Sequence, residues 1–261
     1  MARPAALFAA PGAGTIRGVP SLAPPRLPPL PVLAARAIDL LYPSRCVACA
    51  RFGEPLCAAC LATCLPATGE GRCGNCSAAW EWPDFCPRCS TWDALDGGLA
   101  AFDHTGVARD AVLALKYGRQ RVVAKSMVPP MQPLWELATV DLAVPIPLHP
   151  SRQKRRGFNQ ADVLLDALGC PKMPGRLRRV RKTDTQVGMS LAQRRRNVEG
   201  AFSYEGRELD GARVALIDDV ITTGATANEC ARVLRDFGAA RVVVVAFTRA
   251  GHSGVRTAIP D

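Results

Sequence analysis

With 261 residues, 48% of them hydrophobic, and 33 Lys+Arg against 23 Asp+Glu for a formal charge of +10, the chain is long enough to bury a full core and too apolar to be disordered throughout. Its eleven cysteines do not make it a disulfide scaffold, because the count is odd and nine of them fall between Cys46 and Cys89. The basic excess calls for an anionic partner: nucleic acid, a membrane surface or a phosphorylated ligand.

Residues 1–36 are rich in Ala and Pro and contain no acid. The apolar run Ala5–Ala10 is too short for the core of a secretion signal, so this stretch reads as a disordered leader or an overextended start. Val32–Leu41 reads as a short helix entering the next segment. No stretch reaches the roughly 18 uninterrupted apolar residues of a membrane span. The expectation is a cytoplasmic protein whose clustered cysteines do metal or redox chemistry.

Residues 37–95 read as a double zinc-ribbon module. Its knuckles are Cys46-x2-Cys49, Cys57-x2-Cys60, Cys73-x2-Cys76 and Cys86-x2-Cys89. Two intervening residues let both sulfurs of a knuckle face one ion from a tight turn, and eight thiolates suffice for two tetrahedral Zn²⁺ sites. Sequential pairing of the knuckles and a crossed arrangement are both open, and Cys64 is a spare thiol able to replace a neighbour. Closed four-cysteine sites leave no open coordination position, so the zinc is expected to be structural, in a segment too short to fold on its own core. A redox pair lacks the surrounding βαβ pattern; an iron–sulfur cluster is the other alternative. Trp80, Trp82, Phe85 and Trp92 are expected to form the module's small core, with base stacking as the alternative.

Residues 96–250 read as an α/β domain, followed by a tail at 251–261. Asp103 or Thr105 is an expected N-cap for a helix over Val107–Tyr117. Val140–Pro147 is an expected strand. His149–Gly200 then concentrates the charge, with thirteen basic residues and four acids. Arg176, Arg178, Arg179 and Arg181 are expected to be solvated charges or nucleic-acid contacts, and the role of His149 is open.

The most informative stretch is Arg213–Thr226. Val214–Ile217 is an apolar run of buried-strand type that ends in Asp218 and Asp219. The small residues Thr222, Thr223, Gly224, Ala225 and Thr226 come next, then a helix over Ala227–Phe237 stopped by Gly238, and a strand over Arg241–Phe247. Such a loop at a helix N-terminus suits an anion. The adjacent acids repel a phosphate but suit hydroxyl groups on the same ligand or a bridging Mg²⁺. A sugar phosphate satisfies both requirements.

VALIDDVITTGAT resembles the phosphoribosyl pyrophosphate (PRPP) motif of type I phosphoribosyltransferases. The resemblance implies that fold, a parallel sheet flanked by helices. It also implies that Asp218 and Asp219 hold ribose hydroxyls, that Thr222–Thr226 hold the 5′-phosphate, and that Mg²⁺ accompanies the ligand. The order Ala114–Tyr117 (ALKY), Pro145–Pro150 (PIPLHP), Gly157–Gln160 (GFNQ) and then Thr183, Thr185, Gln186, Leu191, Arg194, Asn197 and Phe202, behind a cysteine module, is similar to the ComF family of competence-associated proteins. That similarity implies a pyrophosphate side and lid formed by Arg152, Arg155, Arg156, Asn159, Gln160, Gln186 and Arg194, with Thr183–Asn197 closing over the ligand. It gives Lys116 a ligand or partner contact. It also implies an acceptor that no motif names, and single-stranded DNA or DNA-processing proteins as partners. An alternative is a nucleic-acid-handling protein that uses the PRPP fold as a sensor or scaffold without turnover.

Overall fold

The structure, a computed structural model, describes residues 44–80, 85–118, 120–181 and 191–251. The expected leader, the Val32–Leu41 helix and the tail beyond 251 lie outside them, as do Trp82, Gln186 and most of the expected lid. In chain order the elements are α1 (Ala58–Leu61), β1 (Gly97–Asp103), α2 (Gly106–Tyr117), α3 (Val123–Met127), α4 (Gln132–Ala138), β2 (Leu142–Pro145), α5 (Pro150–Arg156), α6 (Gln160–Leu168), β3 (Arg176–Arg179), α7 (Leu191–Val198), β4 (Phe202–Glu205), β5 (Arg213–Ile221), α8 (Ala225–Asp236) and β6 (Arg241–Arg249).

β5 and β6 are apolar along most of their length and buried nearly throughout, as strands covered on both faces must be. They form the centre of a parallel sheet of order β1–β6–β5–β2. Side chains alternate between its faces. Val214, Leu216, Val242 and Val244 pack with Ala227, Cys230, Ala231 and Leu234 of α8. Ala215, Ile217, Val243 and Val245 pack with α2, α3, α4 and α6 on the other face. β3 and β4 make a separate antiparallel pair. This is the expected α/β architecture, with the cysteine clusters ahead of it.

The cysteine-rich segment closes the sheet's open edge. Asp103 N–H donates to Leu65 O at 2.8 Å, Ala67 N–H to Ala101 O at 3.0 Å and Gly98 N–H to Asn75 O at 2.8 Å, which occupies the free side of β1. Cys46, Leu56 and Cys64 join the core beneath α2, while Ala67, Ala94 and Leu95 join the core under α8.

Local signals behave as expected, with two exceptions. Gly238 stops α8 with a positive φ of 85°. Thr105 sits at the N-cap of α2 without a side-chain hydrogen bond, and Asp103 instead pairs with Arg72 through both carboxylate oxygens. β5 runs on to Ile221, so both acids lie within the strand rather than after it.

One amide anchors α8 alongside the pairs Arg232–Asp93 and Arg235–Asp96. Asn228 Oδ1 accepts the backbone N–H groups of Asp93, Ala94 and Leu95, each at 3.1 Å, and its Nδ2 donates to Asp93. Asn228→Ala removes the acceptor shared by three largely buried donors, and is expected to cost about 3 kcal/mol of unfolding free energy in urea titration.

Candidate functional site

Two sets of four cysteines converge, Cys46, Cys49, Cys57 and Cys60 in one and Cys73, Cys76, Cys86 and Cys89 in the other, with all sulfurs of a set within 4.8 Å of one another. The pairing is therefore sequential. The Sγ–Sγ distances of Cys49–Cys57, Cys73–Cys89 and Cys76–Cys86 are each 3.8 Å. A zinc tetrahedron with bonds of about 2.3 Å has edges of about 3.8 Å, so the donor geometry fits Zn²⁺. Cys64 belongs to neither set; it is buried under α2, where burial pushes its thiol pKa up.

At the carboxyl end of the sheet lies a cleft of about 270 Å³ lined by Asp218, Asp219, Thr222, Gly224 and Thr226 together with Lys116, Arg152, Arg156, Gln160 and Arg179. Strand ends of an open parallel sheet are where such a crevice is expected. The Lys116 ammonium lies 3.0 Å from Asp219 Oδ2, a close ion pair without hydrogen-bond alignment. Asp219 N–H donates to Asp218 Oδ1 at 2.8 Å. Burial, reinforced by the neighbouring Asp219 charge, pushes the Asp218 carboxyl up to about 8. One acid is thus neutralised by Lys116 and the other holds its proton near neutrality, a combination able to accept from and donate to hydroxyl groups.

His104 stands behind this pair. Its Nδ1 lies 3.0 Å from Thr248 Oγ1, which donates to Asp219 O at 3.1 Å. Burial and the Lys116 charge lower its pKa, which keeps it neutral.

The loop is shaped by glycine. Gly224 has φ 77°, and a Cβ there would stand 2.4 Å from the Trp92 indole, so no other residue fits. Thr223 is turned inward, its Oγ1 accepting Ala225 N–H at 3.3 Å. Trp92, grouped with the module's core on sequence grounds, also donates Nε1–H to Thr223 O at 2.9 Å.

Of the residues expected on the pyrophosphate side, Arg152, Arg156 and Gln160 reach the cleft, with Arg156 donating to Gln160 Oε1. Arg155 is exposed at the C-terminal turn of α5 and does not line it. Asn159 is committed elsewhere: it caps α6 through Ala161 N–H and donates Nδ2–H to Ile146 O at 3.0 Å. His149 caps α5 by accepting Ser151 N–H. The side chain of Arg194 lies outside the described residues.

Arg179 corrects an expectation. It is 8% exposed rather than solvated, lies over the Phe202 ring and lines the cleft. The alternation of β3, with Leu177 and Arg179 inward and Arg176 and Arg178 outward, was readable from RLRR as a period of two. Arg178 pairs with Glu205, and Arg181 donates to the backbone carbonyls of Asn197 and Glu199.

A parallel sheet flanked by helices, cysteine clusters ahead of it and an acid pair beside a glycine loop at a helix N-terminus together define an α/β protein with two metal-type cysteine clusters and a cleft suited to a phosphorylated ligand. No family model matches the chain. Competence protein F of Haemophilus influenzae is 41% identical over 121 residues, which cover 44% of this chain and 53% of that protein, about half its length. DNA utilization protein YhgH of Salmonella typhimurium is 33% identical over 188 residues, 66% of this chain and 81% of that protein. Competence protein ComFC of Streptococcus pneumoniae is 27% identical over 197 residues, 74% and 87% of the respective chains. The chain belongs to the ComF family. A phosphoribosylpyrophosphate synthetase from Mycobacterium smegmatis overlaps 48% of this chain and 33% of its own at 20% identity and a TM-score of 0.29. A hypoxanthine phosphoribosyltransferase from Staphylococcus aureus overlaps 48% and 62% at 13% identity and a TM-score of 0.31. Overlaps this loose carry no argument about the site. Among the described residues no helix is long and apolar enough to cross a membrane.

The acid pair sets a pH dependence. A carboxyl raised to about 8 in the folded state ionises near 3.9 when unfolded, so the folded protein holds the extra proton between those values. Stability of the ligand-free protein is therefore expected to fall as pH rises through that window and to level off above it. Asp218→Asn is expected to flatten this fall, as read from urea midpoints at pH 5, 7 and 9.

Proposed function

We propose that the cleft binds phosphoribosyl pyrophosphate with Mg²⁺, and that the chain is a phosphoribosyltransferase-like protein serving DNA uptake or use. The observation that carries this reading is the acid pair at the end of β5 placed beside the Thr222–Thr226 turn at the start of α8. In it, Asp218 and Asp219 take the ribose hydroxyls, the loop takes the 5′-phosphate, and Arg152, Arg156 and Arg179 face the pyrophosphate. Cations there would stabilise a departing pyrophosphate as the bond to the sugar breaks, so catalysis would rest on position and charge and need no nucleophile. A cavity of about 940 Å³ adjoins the cleft and shares Pro147, Leu148 and Arg179 with it, which gives an acceptor room beside the sugar. The names of the relatives, competence and DNA utilization proteins, support the link to DNA.

A second reading, single-stranded nucleic-acid binding, is favoured by one surface feature. Tyr117 is 69% exposed and lies under Arg156, with Lys154 and Arg155 exposed on the same short helix as Arg156. An exposed ring among cations suits base stacking beside phosphate contacts.

The expected results separate the two. Calorimetric titration with PRPP and Mg²⁺ is expected to show one site per chain. Asp219→Ala should weaken it at least about tenfold, as loss of a charged hydrogen-bond acceptor does, and Gly224→Ala should abolish it. Absence of PRPP binding to the wild type overturns the first reading. The second predicts oligonucleotide affinity that drops steeply with salt and with Tyr117→Ala; a flat salt response overturns it.

A further inference from the structure

Arg249, the last residue of β6, is 1% exposed. Its partners among the described residues are carbonyl oxygens and a sulfur. Nε–H donates to Cys76 O at 2.8 Å and Nη2–H reaches Cys76 Sγ at 3.8 Å. Nη1 donates to Ile221 O at 3.0 Å and also to Thr222 O. One buried guanidinium thus joins a ligand of the second cysteine cluster to the loop that lines the cleft. Trp92, whose N–H donates to Cys89 O at 2.9 Å, adds the bond from its indole to Thr223 O at 2.9 Å.

Three consecutive loop carbonyls, those of Ile221, Thr222 and Thr223, are therefore held from behind by two side chains. In a planar trans peptide the N–H points opposite to the carbonyl. Pinning these oxygens back turns the N–H groups of Thr222, Thr223 and Gly224 the other way, to the side where Thr222 and Gly224 line the cleft. Free carbonyls in that turn would repel an anion, whereas successive forward N–H groups form an anion nest. A metal-bound thiolate accepts hydrogen bonds from the groups around it and orients them in return. Arg249 and the Cys76 cluster each hold the other in place.

We propose that Arg249 and Trp92 are positioning residues that couple the Cys73–Cys89 metal cluster to the anion loop, so that loading of this cluster sets the cleft's affinity for a phosphorylated ligand. The Cys46–Cys60 cluster, built into the core beneath α2, lacks this connection among the described residues. The proposal rests on the PRPP reading only for its ligand; the coupling itself is a property of the loop.

The test uses the full chain. Trp92→Phe keeps an aromatic ring, smaller than the indole, and removes the N–H donor; Arg249→Lys keeps the charge and loses the fork. Metal content is expected to stay at two ions per chain in Trp92→Phe, fixed by the two four-cysteine sets, while its affinity for PRPP with Mg²⁺ drops at least about fivefold, the lower range of site-to-site coupling. By reciprocity, saturating ligand should raise the metal affinity of the Cys73–Cys89 cluster by the same factor, read by equilibrium competition with a zinc chelator, and leave that of the Cys46–Cys60 cluster unchanged. Equal metal affinity of the Cys73–Cys89 cluster with and without bound ligand overturns the coupling. If PRPP does not bind at all, that reading fails and the ligand-free arm decides this one. Amide exchange over 220–226 should then rise at least about fivefold in Trp92→Phe and Arg249→Lys, and an unchanged loop overturns the proposal.

Discussion

The buried guanidinium of Arg249 is the constraint around which the rest is arranged. A desolvated charge is costly unless its donors are engaged, and here four of the five N–H bonds are engaged by two parts of the chain far apart in sequence. The Cys76 knuckle supplies a carbonyl and a sulfur, and the turn after β5 supplies two carbonyls. Because the same knuckle segment also lies along β1, through Asn75 O and the hydroxyl of Ser77, the second cluster works as part of the sheet's edge. A metal ion held there would tie the module to the cleft-bearing end of the sheet.

The cleft shows a second balance. Two carboxylates beside an anion site repel what the site is built to hold, and also each other. Lys116 offsets Asp219, and desolvation together with the Asp219 charge raises the pKa of Asp218. This lets β5 carry two acids in a cleft that arginines also line. The neutral His104 behind them adds no further charge. On the PRPP reading proposed above, the acids would serve the sugar hydroxyls while the loop and the arginines would serve the phosphates.

The legible parts of the molecule were the local ones. Apolar runs ending in Asp218 and Asp219, glycine at a turn and the four C-x2-C knuckles each carry their meaning within a few residues. What escaped was long-range. Cys76 and Arg249 are 173 positions apart, and Trp92 and Thr223 are 131 apart; nothing in either neighbourhood announces the other. Arg249 looks like any strand-end arginine, and Trp92 like one more aromatic of the cysteine module. Asn159 misled for the opposite reason. It sits in a ligand-type motif, yet Asn before an apolar helical run is also a cap, and the cap is what its side chain makes. Arg179 was hidden by composition, since a run of arginines reads as solvated until the strand period is applied to it.

The positive charge that first suggested a polyanion is therefore not one surface. Lys172 pairs with Asp166 and Arg178 with Glu205, and Arg181 is bound to carbonyls. Arg179 is buried at the cleft with Arg152 and Arg156 beside it. Lys154 and Arg155 lie at the C-terminal turn of α5, where the helix dipole favours cations whatever they bind. Among the described residues, Arg176 and Arg196 are also exposed, but the basic surface that adjoins the cleft is the turn of α5 beside Tyr117, which reaches it through Arg156. A strand of nucleic acid on that surface and a pyrophosphate in the cleft would draw on the same arginine, so the two ligands are more naturally competitors or successive occupants than independent guests.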